Sequence, residues 1–240
     1  MAGSEVTTGV GPGSAEDPGD EPAVDTAFTR LYRFLRWLVH VLNRLLFRTT
    51  VEGRALVPEH GPVVIAPVHR SFIDFFLVSE VTDRKLHYMA KDSLWKNERF
   101  GRFLRSVGAF PVQRGSADRE SLRRAQRVLE AGEVLVLFPE GERRSGPVVE
   151  QLHEGVAFLA ARTGATVVPV GVGGSASVMP KGTRFPRPRH VHLVVGEPME
   201  APVAGPSGRV PRSRIHAATA ALQSALQACY DRSVTVTGRH

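Results

Sequence analysis

His69 and Asp74 stand five residues apart in V-V-I-A-P-V-H-R-S-F-I-D-F-F, residues 63–76. The β-branched run predicts a buried strand ending near Val68, with a helix starting near Phe72. Positions i and i+5 lie on different faces of a regular helix, so these side chains can meet only across that break. Across it, Asp74 can accept a hydrogen bond from one imidazole nitrogen and leave the other to take a proton. That is a general base with its orienting carboxylate. A structural reading competes with it. Ser71-x-x-Asp74 is also a capping-box-like pattern, and an acid in the first helical turn suits the helix dipole. No Ser, Cys or Thr occupies a G-x-S-x-G elbow. Direct attack by a substrate hydroxyl is therefore favoured over an acyl-enzyme.

Three further stretches carry polar groups. Phe138-Pro139-Glu140-Gly141-Glu142-Arg143-Arg144-Ser145-Gly146 follows the apolar run V-L-V-L-F. Gly141 allows a sharp turn or a close approach to a ligand. Arg143 and Arg144 offer planar donors suited to phosphate, and Glu140 can hold a substrate hydroxyl or one of those arginines. The bland alternative is a charged turn with internal ion pairs. Gly108-Ala109-Phe110-Pro111-Val112-Gln113-Arg114-Gly115 reads as a short strand ending in an arginine. Val167-Val168-Pro169-Val170-Gly171-Val172-Gly173-Gly174 has a proline within an apolar run, which predicts a bend or an edge position.

The elements that must position these residues alternate. Apolar runs at 62–68, 86–90, 109–113, 133–138, 166–172 and 190–195 predict strands; helices are expected near 73–82, 93–106, 117–131, 151–163 and 212–230. This is an α/β pattern, with a mostly parallel or mixed central sheet covered by helices. Ligand sites in such sheets gather at strand ends, where all four stretches fall.

The rest of the chain sets the surroundings. Its 240 residues, 42% hydrophobic, suit one domain with appendages. The single cysteine, Cys229, excludes an internal disulfide and a cysteine-based zinc site. Net charge is +7, but residues 1–27 hold six acids and no Lys or Arg. The remainder carries 31 basic against 18 acidic residues, a net +13, which attracts nucleic acid, anionic lipid or phosphorylated ligands. Residues 1–26 read as a disordered acidic tail with no secretory signal. Residues 27–49 predict a basic amphipathic helix whose arginines interrupt any apolar span. It suits the membrane interface, with arginines at headgroup level and the apolar face in the acyl boundary, or packing on its own domain. The main domain is expected over 50–231, with 197–211 a flexible connection and 232–240 a flexible tail.

Taken in order, the four stretches resemble the glycerolipid acyltransferase family, which includes 1-acylglycerol-3-phosphate acyltransferases. His69 and Asp74 match its H-x4-D motif. Gly108, Phe110, Val112 and Arg114 match its second block, and Phe138, Pro139, Glu140, Gly141 and Arg143 its F-P-E-G-T-R-S. Val168, Pro169 and Val170 match its proline block, and Lys91 in M-A-K-D-S-L-W its lysine after the second strand. The resemblance implies that His69 deprotonates an acceptor hydroxyl, which attacks the thioester of acyl-CoA or acyl carrier protein, with no metal or bound cofactor. It implies that Asp74 orients His69, that Lys91, Arg114 and Arg143 hold the acceptor's phosphate, that Glu140 holds its glycerol portion, and that Gly141 belongs to the same substrate-binding set. It also implies a peripheral or monotopic enzyme on the cytoplasmic face of a membrane, touching anionic lipid and not nucleic acid. Val68, Glu142, Arg144 and Glu154 depart from the family pattern. The acids among them leave glycerol 3-phosphate, another lysophospholipid or a glycolipid open as acceptor. A metal phosphoesterase would need a third ligand, and His87, His153, His190 and His192 fall in no ligand pattern. A basic binding module would leave His69, Asp74 and F-P-E-G without a purpose.

Overall fold

The computed structural model describes residues 26–92, 96–98, 101–102, 104, 108–112, 119–180, 183, 185–205 and 210–238. The expected acidic tail lies outside these residues except for Thr26, as does most of the helix expected near 93–106.

Seven strands form one sheet. They are β1 (Thr50–Glu52), β2 (Val63–Pro67), β3 (Leu86–Lys91), β4 (Ala109–Val112), β5 (Val134–Val136), β6 (Thr166–Gly173) and β7 (His192–Val195), in the spatial order β1-β7-β6-β2-β5-β3-β4. Neighbours from β6 through β4 run parallel, as do β1 and β7, whereas β6 and β7 pair antiparallel. The sheet is thus mixed and mostly parallel, as the alternating pattern predicts. Every residue of β2 is buried, which is why its stretch reads as a continuous apolar run. The two-residue-period pattern did not reveal β1, which has only three residues.

The helices are α1 (Thr26–Phe47), α2 (Asp74–Leu77) with a 3₁₀ turn after it (Val78–Val81), α3 (Arg119–Glu130), α4 (Gly155–Thr163), α5 (Ser175–Val178) and α6 (Arg212–Thr237). The last helix lies on β6. A Cβ at Gly171 would meet the Cys229 carbonyl oxygen at 2.2 Å, and one at Gly173 that of Ser233 at 2.3 Å. Two residues along a strand and four along a helix each return to the same face. The G-V-G of this block is therefore the seat of α6. Contact at Ser233, which is fully buried, carries the helix on to Thr237, past the tail expected from 232.

Pro169 is in an interior strand and not at an edge. Between the pairs Val170↔Val195 and Val167↔Met199, β6 advances three residues and its neighbour four, which is a bulge. Pro169 sits opposite it, accepting from the Gly196 N–H at 2.9 Å, where its missing donor leaves no ladder bond broken. The same Met199 bridge pins the start of the connection expected to be flexible over 197–211.

Candidate active site

Because β2, β3, β4, β5 and β6 are parallel, their carboxyl ends share one edge of the sheet. His69 follows β2, Lys91 ends β3 and Glu140 follows β5. The register Ile65↔Val136 sets β2 against β5 and delivers H-R-S-F-I-D and F-P-E-G to one place. Lys91 reaches the same edge by its backbone. Arg114 lies outside the described residues, beyond the end of β4 at Val112.

His69 and Asp74 do meet. The imidazole Nδ1 lies 3.1 Å from Asp74 Oδ2. Asp74 is fully buried and opens α2; the His69 side chain is 14% exposed. The same carboxylate oxygen accepts the backbone N–H groups of Arg70 at 2.7 Å and Ser71 at 2.6 Å. Asp74 therefore ties the turn and meets the ring with one oxygen. Ser71 does not cap the helix with its hydroxyl, which donates instead to the Met179 carbonyl at 3.3 Å. With Nδ1 donating to the carboxylate, Nε2 carries the lone pair, and it makes no hydrogen bond among the described residues.

Each residue of F-P-E-G supports that turn. The Phe138 ring packs on the imidazole, with centroids 4.2 Å apart. Pro139 accepts from the His153 N–H at 2.9 Å. Gly141 has φ 72°, and a Cβ there would meet the His153 ring at 2.7 Å, so only glycine fits. Glu140 is fully buried, accepting the His69 N–H at 2.8 Å and both bonds of Arg70 Nη1, at 2.6 and 2.8 Å. Its two oxygens face protein, where direct contact with an acceptor was expected. Arg70 is the residue that sequence reasoning missed. Besides Glu140, it donates to the Val148 carbonyl at 3.2 Å and stacks over the Tyr230 ring of α6 at 4.7 Å. No spacing rule links an arginine at 70 to a glutamate at 140; only the β2–β5 pairing does.

The residues after Gly141 are also paired. The Arg144 N–H donates to the His69 carbonyl at 2.9 Å, and its side chain bridges Glu142 at 3.1 Å and Glu150 at 3.2 Å. The departures Glu142 and Arg144 thus compensate each other. Arg143 is exposed, without an ion pair among the described residues. Glu154 lies 3.6 Å from His216. An open cleft of about 250 Å³ adjoins the network, lined by Arg70, Arg144, Ser145 and Tyr230. Burial pushes the Cys229 thiol up to about 11, which suits a core residue and not a nucleophile. Among the described residues no group of three or more His, Cys, Asp and Glu is placed to hold a metal ion.

The acyltransferase family profile matches residues 48–173. The chain belongs to that family and is an enzyme of the acyltransferase class. Among its relatives is the 1-acyl-sn-glycerol-3-phosphate acyltransferase of Bacillus subtilis, 29% identical over 170 residues, covering 70% of this chain and 82% of that one. The chloroplastic LPAT1 enzyme of the same name from Arabidopsis thaliana is 24% identical over 173 residues, 70% of this chain and 48% of its own. Among solved structures, the 1-acyl-sn-glycerophosphate acyltransferase PlsC of Thermotoga maritima shares the fold, with a TM-score of 0.69 over 90% of this chain and 83% of that one, at 21% identity.

Proposed function

We propose that this enzyme moves a fatty acyl group from an acyl thioester, either acyl-CoA or acyl carrier protein, to the free hydroxyl of 1-acylglycerol 3-phosphate, giving phosphatidic acid. The observation that carries the reading is the His69–Asp74 pair at 3.1 Å, with a partly exposed ring and a buried, doubly anchored carboxylate. His69 Nε2 takes the proton of the acceptor hydroxyl as its oxygen attacks the thioester carbonyl. Collapse of the tetrahedral intermediate breaks the C–S bond, and the departing thiolate takes the proton back from His69. Asp74 holds the ring in one tautomer and stabilises the imidazolium between the two steps. Arg143, with Lys91 and Arg114 as partners, binds the acceptor's phosphate. Glu140 acts one layer below as a brace for the His69 turn.

The enzyme works at a bilayer surface, and the basis for this is α1. Three of its polar side chains reach the domain, while Arg30, Arg33 and Arg44 are exposed: Arg36 donates to the carbonyls of Ser79, Thr82 and Arg84, Asn43 donates to Phe76 and Glu80, and His40 meets Glu80. Its large apolar side chains, Phe34, Trp37, Leu38, Leu42, Leu45 and Leu46, are exposed, Leu45 by 73%. The exposed face thus sets large apolar side chains among arginines, as an interfacial helix does. Each such side chain left in water forgoes about 1.5–3 kcal/mol of burial, which an acyl layer supplies. No helix among the described residues is long and apolar enough to cross a membrane, so contact is in the plane of one leaflet.

The test is acceptor-dependent thiol release from palmitoyl-CoA and from palmitoyl-acyl carrier protein. Lysophosphatidic acid, glycerol 3-phosphate and a neutral glycolipid serve as acceptors, for wild type and His69→Ala. The expected result is release with lysophosphatidic acid that disappears in the variant. Release with glycerol 3-phosphate alone would replace the acceptor and keep the chemistry; full activity in His69→Ala would overturn the mechanism.

A further inference from the structure

The segment between α5 and β7, M-P-K-G-T-R-F-P-R-P-R-H over 179–190, contains four Lys or Arg and no acid. Of its described residues, Phe185 is 79% exposed, and Arg187 and Arg189 are exposed, their side chains making no ion pair or hydrogen bond to described residues. Pro186 and Pro188 flank Arg187 with φ fixed at about −65°, and residues 186–190 form neither helix nor strand. An exposed aromatic ring beside two guanidiniums that have no partner among the described residues is a poor arrangement for a free surface. It suits a partner with an apolar layer beneath a negative one.

The ends of the segment place it. At one end the Ser71 hydroxyl donates to the Met179 carbonyl at 3.3 Å, and the Arg187 N–H returns to the Val178 carbonyl at 2.8 Å, beside the turn that carries His69 and Asp74. At the other end the Val191 N–H donates to the Phe47 carbonyl at 3.0 Å, the last residue of α1. The segment therefore joins the catalytic turn to the helix end where Leu45 and Leu46 are exposed and where Arg44 and Arg48 are exposed beside them.

We propose that Phe185, Arg187 and Arg189 form a second bilayer contact, continuous with α1, in which the arginines take anionic lipid headgroups and the ring enters the interface. This rests on the reading that α1 lies in the leaflet. It adds a charge-selective foothold at the edge of the active site, so that anionic membranes are gripped next to His69. An acidic carrier protein is the rival occupant, and continuity with the apolar face of α1 favours lipid.

The experiment is co-sedimentation of the full chain with vesicles of phosphatidylcholine, with and without phosphatidylglycerol. It compares wild type, Arg187→Ala/Arg189→Ala, Phe185→Ser and the α1 variant Trp37→Ser/Leu45→Ser, each checked for folding by circular dichroism. Removing both arginines is expected to weaken partitioning to the anionic vesicles about 30-fold, and to leave phosphatidylcholine binding unchanged. Added salt should erase the difference, because exposed charges are screened beyond roughly 10 Å. Phe185→Ser should weaken binding to both vesicles. If the double arginine variant binds anionic vesicles as wild type does, the proposal falls. If it binds them normally but loses turnover with an acyl carrier protein donor and not with acyl-CoA, the patch docks the donor, and the proposal falls in that way. If the α1 variant alone keeps full binding while the arginine variant loses it, the second contact stands and the reading of α1 fails.

Discussion

Both edges of the sheet's parallel part are tied by charged side chains of opposite sign, a half-buried arginine at one and buried carboxylates at the other. At the amino edge Arg84 donates to the carbonyls of Pro58 at 3.0 Å, Gly61 at 2.7 Å and Gly132 at 2.6 Å, drawing together the entries to β2 and β5. At the carboxyl edge Asp74 and Glu140 collect the N–H groups of His69, Arg70 and Ser71. Helices linking parallel strands leave unpaired carbonyls toward the first edge and unpaired N–H groups toward the second, so a cation suits one and carboxylates the other. What separates them is the remainder. The Arg84 guanidinium is occupied by backbone on both terminal nitrogens, whereas at the other edge a 14% exposed imidazole keeps one nitrogen without a partner among the described residues. A tie that uses its groups up is structural. One that leaves an oriented base over can do chemistry.

Breaking the carboxyl edge should cost activity first. His69→Ala is expected to lower kcat/KM for acyl transfer about 10³-fold with an unchanged Tm, since it removes the base and leaves the Asp74 ties to the turn. Asp74→Asn should cost about 10²-fold or more and also lower Tm, because its carboxylate accepts two backbone N–H groups as well as the ring. Steady-state thioester assays beside thermal melts separate the two. Loss of Tm without loss of rate in Asp74→Asn would leave only the structural half of the motif.

One layer down the expectation changes to stability. Arg70→Met leaves Glu140 buried and without its cation, a cost of about 3–5 kcal/mol in urea unfolding. Adding Glu140→Gln should recover much of that loss, since an amide can still accept the His69 N–H and no charge remains unpaired. If the double variant is no more stable than Arg70→Met, the pair is not the source of the cost.

These differences also decide what could be read from residues alone. The strand, the break and the helix start at Asp74 come from β-branched runs and turn chemistry within a dozen residues, so the His69–Asp74 pair was legible. The α/β class was legible from alternation. Arg70 with Glu140 was not, because their contact depends on β2 and β5 being neighbours, a pairing that no local pattern encodes. The amphipathicity of α1 showed two faces but not which one packs. Arg36, His40 and Asn43 find carbonyls and a carboxylate between Phe76 and Arg84, on and around the 3₁₀ turn, and these contacts fix which face packs. Pro169 misled because a bulge in the neighbouring chain accepts it within an interior strand.

The amino edge supplies the two smaller tests, and both should spare activity. Arg84→Met removes the donors to three carbonyls and is expected to cost about 2–3 kcal/mol in urea unfolding, with kcat/KM unchanged. His87, near the start of β3, tests the same edge with pH. Burial holds its imidazole down to about 4, with Lys85 adding to the effect, and Glu133 stands 4.0 Å away. The unfolded chain binds that proton below about 6.5, and the native protein does not until about 4. Stability should therefore fall as pH drops through that window and be level above it, by about 2 kcal/mol between pH 7 and 5. His87→Gln should flatten that part of the stability–pH curve, measured by urea unfolding at each pH, while turnover at pH 7 stays as in wild type. A lower turnover in either variant would mean that the amino edge is coupled to His69 through the strands, and that the division between a structural edge and a chemical one is less sharp than the hydrogen bonds imply.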